Sequence, residues 1–253
     1  MPPPYDVIIV GTGPAGIFSA IELIKNNTST PLKILLLDKG PDLEKRRCPA
    51  SRGFGCINCD PCTLLQGWGG AGAFSDGKLD LSPEVGGWLT DYITKEKLVD
   101  YIDYVDGLYR QFGAPERVYG TDLDKIDAIE RKGAFAGLKL IQQKIRPMGT
   151  DQCAEVLRNM RRHLKEKVDI QTGVEVKNLM VKDGKVEGVE TTRGEKVQGE
   201  YVIVAPGRSG AEWLTVEAQT LGLKTLNNPV DVGVRVEVLA SVMEELTDVL
   251  YEP

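Results

Sequence analysis

The sequence predicts an α/β fold in which a parallel β-sheet continues into an antiparallel β-meander, and three observations lead to it. An apolar run at residues 7–10 enters a glycine turn, a helical apolar pattern and a second apolar run that ends at Asp38. Short alternating runs separated by turns, one of them Asp-Gly, fill residues 168–204. The end of this segment, residues 200–205, is apolar enough to return to the central sheet.

The glycine turn reads Gly11-Thr-Gly-Pro-Ala-Gly16, and each glycine has its own task in a dinucleotide-binding βαβ unit. Gly11 allows the tight turn, Gly13 lets a pyrophosphate approach the backbone, and Gly16 lets the helix pack against the strand. The helix N-terminus offers free N–H groups to the phosphates. Asp38 can accept both ribose hydroxyls of an adenosine. The alternative is a glycine turn in an ordinary βαβ unit, but strand, helix and acid together favour a Rossmann-like site.

Helical spacing and turn signals divide the rest of the chain. Helices are predicted over residues 95–112, 122–137, 152–166 and 209–221, and extended segments over residues 138–146 and 230–238. Thr150 and Asp151 are expected to cap the helix that follows them. Residues 39–90 form a long glycine-rich and cysteine-rich loop, and loops of this length inside a compact domain usually carry function.

Composition excludes several classes of function. The net charge is −6, from 31 basic and 37 acidic residues, which argues against a nucleic-acid partner. No window approaches 18 apolar residues, so we expect no membrane span. The start, Met-Pro-Pro-Pro, lacks the pattern of a signal peptide. Four of the five cysteines crowd together rather than forming a spaced disulfide framework, so we expect a reducing, cytoplasmic location.

Two further segments have the character of ligand-binding backbone. Residues 66–78 are rich in glycine and could approach a planar ring or a phosphate, with Ser75 and Lys78 as the side chains nearest the ligand. The alternative for this segment is a flexible surface loop. The strand at residues 200–205 ends in a turn that contains Ala205 and Gly207, where bare backbone would lie beside the ligand crevice.

The cysteine cluster has the spacing C-x7-C-x2-C-x2-C, formed by Cys48, Cys56, Cys59 and Cys62. Three interpretations stay open: an Fe–S cluster or zinc site, a redox-active pair, or reduced cysteines packed under a loop. The single histidine, His163, lies at a basic helix end and complements the helix dipole. The catalytic residues are therefore unknown, and any chemistry would belong to a cofactor.

Several motifs together resemble a known family. The family is the poorly characterised FAD-dependent dehydrogenases, often labelled NAD(P)/FAD-dependent oxidoreductases, among the glutathione-reductase-like flavoproteins. The motifs are Gly11-Thr-Gly-Pro-Ala-Gly16, Cys56-x-x-Cys59-Asp-Pro-Cys62, Gly67-Trp-Gly-Gly-Ala-Gly-Ala-Phe-Ser-Asp-Gly-Lys-Leu79, Gly149-Thr-Asp151, Ala205-Pro-Gly-Arg-Ser-Gly210 and Asn228-Pro-Val-Asp-Val-Gly-Val-Arg-Val236. The resemblance covers nearly the whole chain.

The resemblance implies FAD as the cofactor and a role for each matched residue. Asp38, beside Lys39, would bind the adenosine ribose, Val174 would meet the adenine through its backbone, and Gly207 would lie over the cofactor. The loop that includes Gly69, Gly70 and Ser75 would lie near the flavin ring. The pyrophosphate would be held by Gly11, Gly13, Pro14, Ala15 and Gly16.

The resemblance also implies a domain organisation. Residues 1–225 would form the FAD-binding domain, with the Cys/Gly-rich loop at 46–90 and a helical insertion at 91–137. Residues 226–253 would begin an incomplete substrate domain. Members of the family are usually longer and carry a C-terminal segment that completes the flavin site, so we expect this chain to be truncated.

The predicted function is an FAD-dependent oxidoreductase, or its FAD-binding portion, acting on a small molecule of unknown identity. NAD(P)H is a candidate electron donor. One alternative is a non-catalytic FAD-binding electron-relay module, in which a cysteine-bound Fe–S or Zn site serves a redox partner protein. The other alternative is an NAD-binding domain, because Asp38 suits both adenosine cofactors.

Overall fold

The computed structural model describes residues 4–27, 29–74, 77–227, 229–230, 232–234 and 236–251. The chain divides into two compact units. The first comprises Met1–Phe74 and Leu157–Asn228, and the second comprises Ser75–Val156 and Pro229–Pro253. These limits differ from the predicted domain boundary at residue 225, which stays a prediction.

The regular elements follow one another in this order along the chain. The strands are β1 (Tyr5–Val10), β2 (Ile34–Asp38), β3 (Lys78–Asp80), β4 (Ile145–Pro147), β5 (Asp169–Thr172), β6 (Val176–Lys182), β7 (Lys185–Thr191) and β8 (Lys196–Val204). The α-helices are α1 (Pro14–Asn26), α2 (Lys95–Gln111), α3 (Leu123–Phe135), α4 (Gly149–Lys165), α5 (Ala211–Thr220) and α6 (Ala240–Leu250). Short 3₁₀ turns lie at Leu43–Lys45, Ala50–Arg52, Gly70–Phe74, Leu89–Asp91 and Arg208–Gly210.

The first unit is built on a six-stranded sheet with the order β5-β2-β1-β8-β7-β6. Strand β1 runs parallel to both β2 and β8, and β2 runs parallel to β5. Strands β6, β7 and β8 form an antiparallel meander. The N-terminal part of β8 pairs with β7 and its C-terminal part pairs with β1, so the chain returns to the central sheet. The predicted α/β fold, with a parallel sheet and a meander, is confirmed.

The core of this unit lies on both faces of the neighbouring strands β1 and β2. All four residues from Val7 to Val10 and all four from Ile34 to Leu37 are buried, which is the pattern of parallel strands covered on both sides. Helix α1 contributes Ile17, Ala20 and Ile21 to the buried face. Burial of these apolar side chains fixes the position of the glycine turn between β1 and α1.

The β6–β7 connection is a tight hairpin turn, as the Asp-Gly pair predicts. Asp183 has φ 51° and Gly184 has φ 75°. Positive φ at both central residues is the geometry of a type I′ turn, whose twist matches the flanking strands. Glycine adopts this conformation without a steric penalty, and aspartate tolerates it better than most residues.

The second unit contains α2, α3, α6 and the antiparallel pair β3–β4. A buried ion pair links α2 to β4: the guanidinium of Arg146 donates to both carboxylate oxygens of Asp106 at 2.6 and 2.7 Å. The same guanidinium donates to the carbonyl of Pro115. Bidentate pairing of this kind satisfies a charge that would otherwise be costly to bury. The predicted helices at residues 95–112 and 122–137 are confirmed as α2 and α3.

Three expectations about local structure are wrong. Helix α4 begins at Gly149 rather than at residue 152, so Thr150 and Asp151 lie in its first turn instead of before it. Of residues 138–146, only the last two enter a strand, β4. The described residues within 230–238 form no strand, and Asp231 and Arg235 lie outside the described residues. The valines there are exposed, because no neighbouring strand in the described part of the chain pairs with this segment.

A search of the helices that the structure describes finds none whose length and hydropathy would let it cross a membrane.

Candidate cofactor-binding site

A cavity of about 530 Å³ opens in the first unit where β1, β2 and β8 end. Its volume lies within the range of about 300–1,000 Å³ that is typical of small-molecule and cofactor sites. Strand β1 lies between β2 and β8, so the strand order reverses here, and ligands of open α/β sheets bind at such points. The residues that line it are Val10, Gly11, Gly13, Pro14, Leu37, Asp38, Lys39, Leu65, Gln66, Gly70, Ala71, Gly72, Val174, Glu175, Val176, Ala205, Pro206, Gly207, Arg208, Ser209, Gly210 and Trp213.

Two glycines of the turn are required by the packing of the protein itself. Gly11 has φ 106°, and a Cβ atom there would lie 2.1 Å from the carbonyl oxygen of Ala205. A Cβ atom on Gly16 would lie 1.9 Å from the carbonyl oxygen of Gly11. Gly11 also donates its N–H to Leu37 at 2.7 Å. These contacts bring β1, β2 and the turn after β8 to one place.

Gly13 differs, because it has open space beside it. A Cβ atom there would meet nothing closer than the Cα of Gly70, at 3.8 Å. Gly13 is the N-cap of α1, Pro14 follows at the first helical position, and no side chain caps the helix. The first turn of α1 contains no acidic residue. Uncapped N–H groups, a positive helix end and open space are the features that a phosphate group requires.

Asp38 lies at the cavity with its carboxylate held in place. Its Oδ2 accepts hydrogen bonds from the backbone N–H and the hydroxyl of Thr12, both at 2.8 Å. Its Oδ1 accepts a hydrogen bond from the N–H of Gly40 at 2.8 Å. A carboxylate has about four acceptor positions, so three are used within the protein and Oδ1 retains capacity for a ligand. The hydroxyl of Thr12 can rotate away and release a further position.

The loop that forms one side of the cavity is anchored by Arg46. This side chain is buried, and it donates to the carbonyls of Thr63, Leu64 and Trp68 at 2.7–2.9 Å. Its guanidinium also lies 4.8 Å from the ring centre of Phe74. Burial lowers the pKa of Arg46 to about 10. Three directional hydrogen bonds from one planar group fix the loop backbone without any regular secondary structure.

The same loop reaches the glycine turn through two glycines. Gly69 donates its N–H to the carbonyl of Thr12 at 2.8 Å. A Cβ atom on Gly69 would lie 2.5 Å from Leu157, and one on Gly70 would lie 2.9 Å from the Cα of Gly13. Both residues have positive φ. The close approach of the two backbones therefore depends on glycine at position 70, whereas Gly69 leaves room for the side chain of Leu157.

The opposite side of the cavity is more apolar. Val174, Val176 and Trp213 line it, and the indole N–H of Trp213 donates to the carbonyl of Lys177 at 2.8 Å. The N–H of Val174 donates to the carbonyl of Asp38 at 2.9 Å. This N–H is therefore engaged within the protein, and a backbone contact to adenine would use another atom of the segment.

Lys39 and the turn after β8 complete the lining. Lys39 lies 3.7 Å from carboxylate oxygens of both Asp60 and Glu175. Ala205 donates its N–H to Val10 at 2.8 Å, which continues the β1–β8 ladder. Gly207 has φ 65° and open space around it.

The structure brings most of the predicted cofactor-binding residues to one cavity. Gly16 and Gly69 do not line the cavity, but they contact Gly11 and Thr12 of the glycine turn. Ala15 is exposed on α1. Ser75 lies outside the described residues, and Lys78 lies on β3 in the second unit. Their roles stay predictions. The residues at the cavity are Gly11, Gly13, Pro14, Asp38, Lys39, Gly70, Val174, Ala205 and Gly207.

The predicted metal ligands are not brought together. Cys48, Cys59 and Cys62 are half-buried, Cys56 is exposed, and all are free thiols. Among the residues that the structure describes, no group of three or more His, Cys, Asp or Glu side chains could hold a metal ion. Cys153 is buried, and burial raises the pKa of its thiol.

Sequence reasoning missed several residues of the site. Thr12 could have been found, since it lies between Gly11 and Gly13 of the predicted glycine turn. Gln66 lies at the start of the segment 66–78 that the sequence predicts to approach a ligand, but neither its side chain nor that of Trp213 was singled out. The burial of a polar or aromatic side chain at a cavity depends on distant segments. Arg46 lies in a basic run, Lys45-Arg-Arg47, of the kind that is typical of an exposed surface, so the sequence did not indicate that its side chain is buried.

Comparison with known proteins gives distant similarities. No family model matches the chain. An uncharacterized protein of Clostridium beijerinckii is 25% identical over 236 residues, which cover 91% of this chain and 36% of that protein. The chain therefore spans little more than a third of the length of this relative.

Solved structures with similar chains include three enzymes. The 3-ketosteroid-Δ4-(5α)-dehydrogenase of Rhodococcus jostii has a TM-score of 0.48 and 17% identity, over 79% of this chain and 45% of that one. The glycine oxidase of Bacillus cereus has a TM-score of 0.45 and 16% identity, over 85% and 59%. The L-amino acid deaminase of Proteus myxofaciens has a TM-score of 0.42 and 14% identity, over 89% and 49%. At this level of sequence identity and TM-score the alignments establish no function. A functional proposal for this chain therefore depends on the geometry of its own site.

Proposed function

We propose that the cavity binds FAD and that the chain is an FAD-dependent oxidoreductase or the FAD-binding portion of one. One observation carries the proposal: the glycine turn, the carboxylate of Asp38 and the turn after β8 line a single cavity at the switch point of the sheet. The sequence predicts each of these three parts separately. Because all three parts lie at one cavity, they support a dinucleotide-binding site rather than three unrelated local features.

The residues present fit the adenosine diphosphate half of such a cofactor. The uncapped start of α1 and the open side of Gly13 suit the pyrophosphate. The remaining acceptor capacity of Asp38 suits a ribose hydroxyl. Val174, Val176 and Trp213 provide an apolar surface of the kind that a purine ring requires.

The choice of FAD over NAD rests on the sequence of the two turns. Pro14 and Ala15 inside the glycine turn resemble the flavoprotein form of that turn, and Ala205-Pro-Gly207 after β8 resembles the closing turn of flavoproteins, with Pro206 in place of the common threonine. An NAD-binding domain would share the ribose carboxylate and the phosphate turn, so these two features alone do not discriminate. The glycine-rich loop from Gly69 onward, linked to Thr12, adds a second backbone segment beside the phosphate turn.

FAD, when bound, supplies two-electron redox chemistry at its flavin ring. The residues of this chain bind and orient the cofactor, and the apolar side of the cavity excludes water from it. The substrate is proposed to be a small molecule, with NAD(P)H as a candidate electron donor. Because the chain spans 36% of its relative, other parts of a longer protein would contribute to turnover.

Calorimetric titration of the chain with FAD, ADP, NAD⁺ and FMN tests the proposal. We expect FAD and ADP to compete for one site, NAD⁺ to bind more weakly than FAD, and FMN to leave ADP binding unchanged because it lacks the adenosine. Tighter binding of NAD⁺ than of FAD would replace the proposal with the NAD-binding alternative. Absence of binding by every adenosine ligand would contradict both.

A further inference from the structure

Gln66 presents an unexplained feature at the cavity. The residue lines the cavity and is only 9% exposed. Its Oε1 is the one buried side-chain nitrogen or oxygen, among the residues that the structure describes, that has no hydrogen-bond partner. Buried polar atoms in folded proteins are nearly always hydrogen-bonded, so such an atom requires an explanation.

The backbone around Gln66 is held by hydrogen bonds within the loop. Its N–H donates to the carbonyl of Cys62 at 2.9 Å. On either side of it, the carbonyls of Leu64 and Trp68 accept hydrogen bonds from the buried guanidinium of Arg46. The fold therefore fixes the backbone from which the Gln66 side chain extends.

Gln66 also lies next to the turn that holds Asp38. A Cβ atom on Gly40 would lie 2.3 Å from the carbonyl carbon of Gln66, so the two backbones are in direct contact. The N–H of Gly40 in turn donates to Oδ1 of Asp38. The carboxylate and the unpartnered amide thus belong to neighbouring backbone segments at the same end of the cavity.

We infer that Oε1 of Gln66 accepts a hydrogen bond from an adenosine ribose hydroxyl of the bound dinucleotide, beside the carboxylate of Asp38. This inference rests on the proposed function. Oε1 requires a donor, which a ribose hydroxyl provides and a deprotonated phosphate does not. A neutral amide together with a carboxylate also favours an unmodified ribose over one that carries a 2′-phosphate, because the carboxylate would repel the added charge.

The test compares the wild-type chain with Gln66→Met, which keeps the length of the side chain and removes the amide. Gln171→Met is the matched control, because Gln171 is exposed on β5 and does not line the cavity. The ligands are ADP, 2′-deoxy-ADP and 3′-deoxy-ADP, and the readouts are calorimetric affinity and the melting temperature of the ligand-free chain.

We expect Gln66→Met to weaken ADP binding about 3- to 10-fold, which is the effect of one hydrogen bond. The wild type should prefer ADP over one of the two deoxy compounds by a similar factor, and the variant should lose that preference. The melting temperature without ligand should stay equal or rise, because the substitution removes an unsatisfied polar atom. The Gln171→Met control should match the wild type in every measurement.

Three results would overturn the inference. If the wild type binds ADP and the variant binds it equally well with the same preference, only the role of Gln66 fails. If the variant binds the ADP series normally but loses affinity for FAD, the hydroxyl partner is on the ribityl chain and the assignment to ribose is wrong. If the wild type binds neither ADP nor FAD, the proposed function fails as well.

Discussion

Gly13 and Gly16 lie three residues apart in one turn, yet a methyl group would affect them differently. At Gly16 the new atom would lie 1.9 Å from a backbone oxygen, whereas at Gly13 the nearest atom is 3.8 Å away. Gly16 is thus required by the packing of α1, and Gly13 leaves space that the protein does not fill. This difference separates a structural glycine from one that serves a ligand.

Gly13→Ala should leave the ligand-free chain folded and weaken FAD binding at least tenfold. The folding cost should be about 1 kcal/mol, the usual effect of alanine at a helix N-cap, whereas the methyl group would occupy space that the pyrophosphate needs. Chemical denaturation and calorimetry measure the two effects. Gly16→Ala is the comparison and should destabilise the fold strongly. Unchanged FAD affinity in Gly13→Ala would show that phosphate does not bind at this turn.

Asp38→Asn should weaken ADP and FAD binding by about 10- to 100-fold, because hydrogen bonds to a charged acceptor contribute about 1.5–3 kcal/mol. The variant keeps one side-chain oxygen to accept from Thr12, so the fold should persist, as circular dichroism can verify. The control is Asp183→Asn, at a turn position with φ 51° that asparagine also tolerates. Equal affinity in both variants would remove Asp38 from the site.

At the scale of elements, the cavity depends on a loop that one side chain holds in place. Arg46 satisfies the carbonyls of Thr63, Leu64 and Trp68. Trp68 is itself fully buried and donates its indole N–H to Leu157 in α4 at 2.9 Å. The loop is therefore joined to a regular element although it contains only short 3₁₀ turns.

Arg46→Lys should lower the free energy of unfolding by about 2–4 kcal/mol, because a lysine cannot reproduce the planar fork and leaves buried carbonyls unsatisfied. FAD affinity should fall in parallel, since Gln66 and Gly70 lie on the same loop. Arg47→Lys provides the control, because Arg47 is exposed. Denaturant titration with and without FAD distinguishes the effects. A variant as stable as the wild type would show that the loop is held by other contacts.

The elements that could be predicted from the sequence are those whose signals are local. The β1–α1–β2 unit follows from apolar runs and the glycine turn, and the β6–β7 hairpin follows from Asp183-Gly184. The described residues within 230–238 do not form the expected strand, because alternation describes a strand only where a partner strand pairs with it. The start of α4 was placed late because Thr150 and Asp151 resemble cap residues wherever they occur near a helix start.

The site was predictable only in part, for a related reason. The glycine turn and Asp38 can be recognised in the sequence because their spacing within one βαβ unit determines that they lie close together. Gln66, Trp213 and Arg46 become part of the site only when distant segments meet. No local pattern distinguishes a buried glutamine or arginine from an exposed one, so the structure was needed to find them.

At the scale of the whole molecule, the proposed adenosine diphosphate site lies within the first unit of the described chain. Every residue that lines the cavity belongs to Met1–Phe74 or Leu157–Asn228. The segments that form it are distant in sequence, and the parallel pairing of β8 with β1 brings the second of them to the glycine turn. Binding of the dinucleotide should therefore require this sheet and no contribution from the described part of the second unit.

The visible spectrum of the chain, recorded after saturation with FAD and removal of free cofactor by gel filtration, tests the central claim most directly. We predict flavin absorbance that elutes with the protein in stoichiometric amount and is lost when the same experiment includes excess ADP. A folded chain that elutes without flavin absorbance, or whose flavin is unaffected by ADP, would contradict the account.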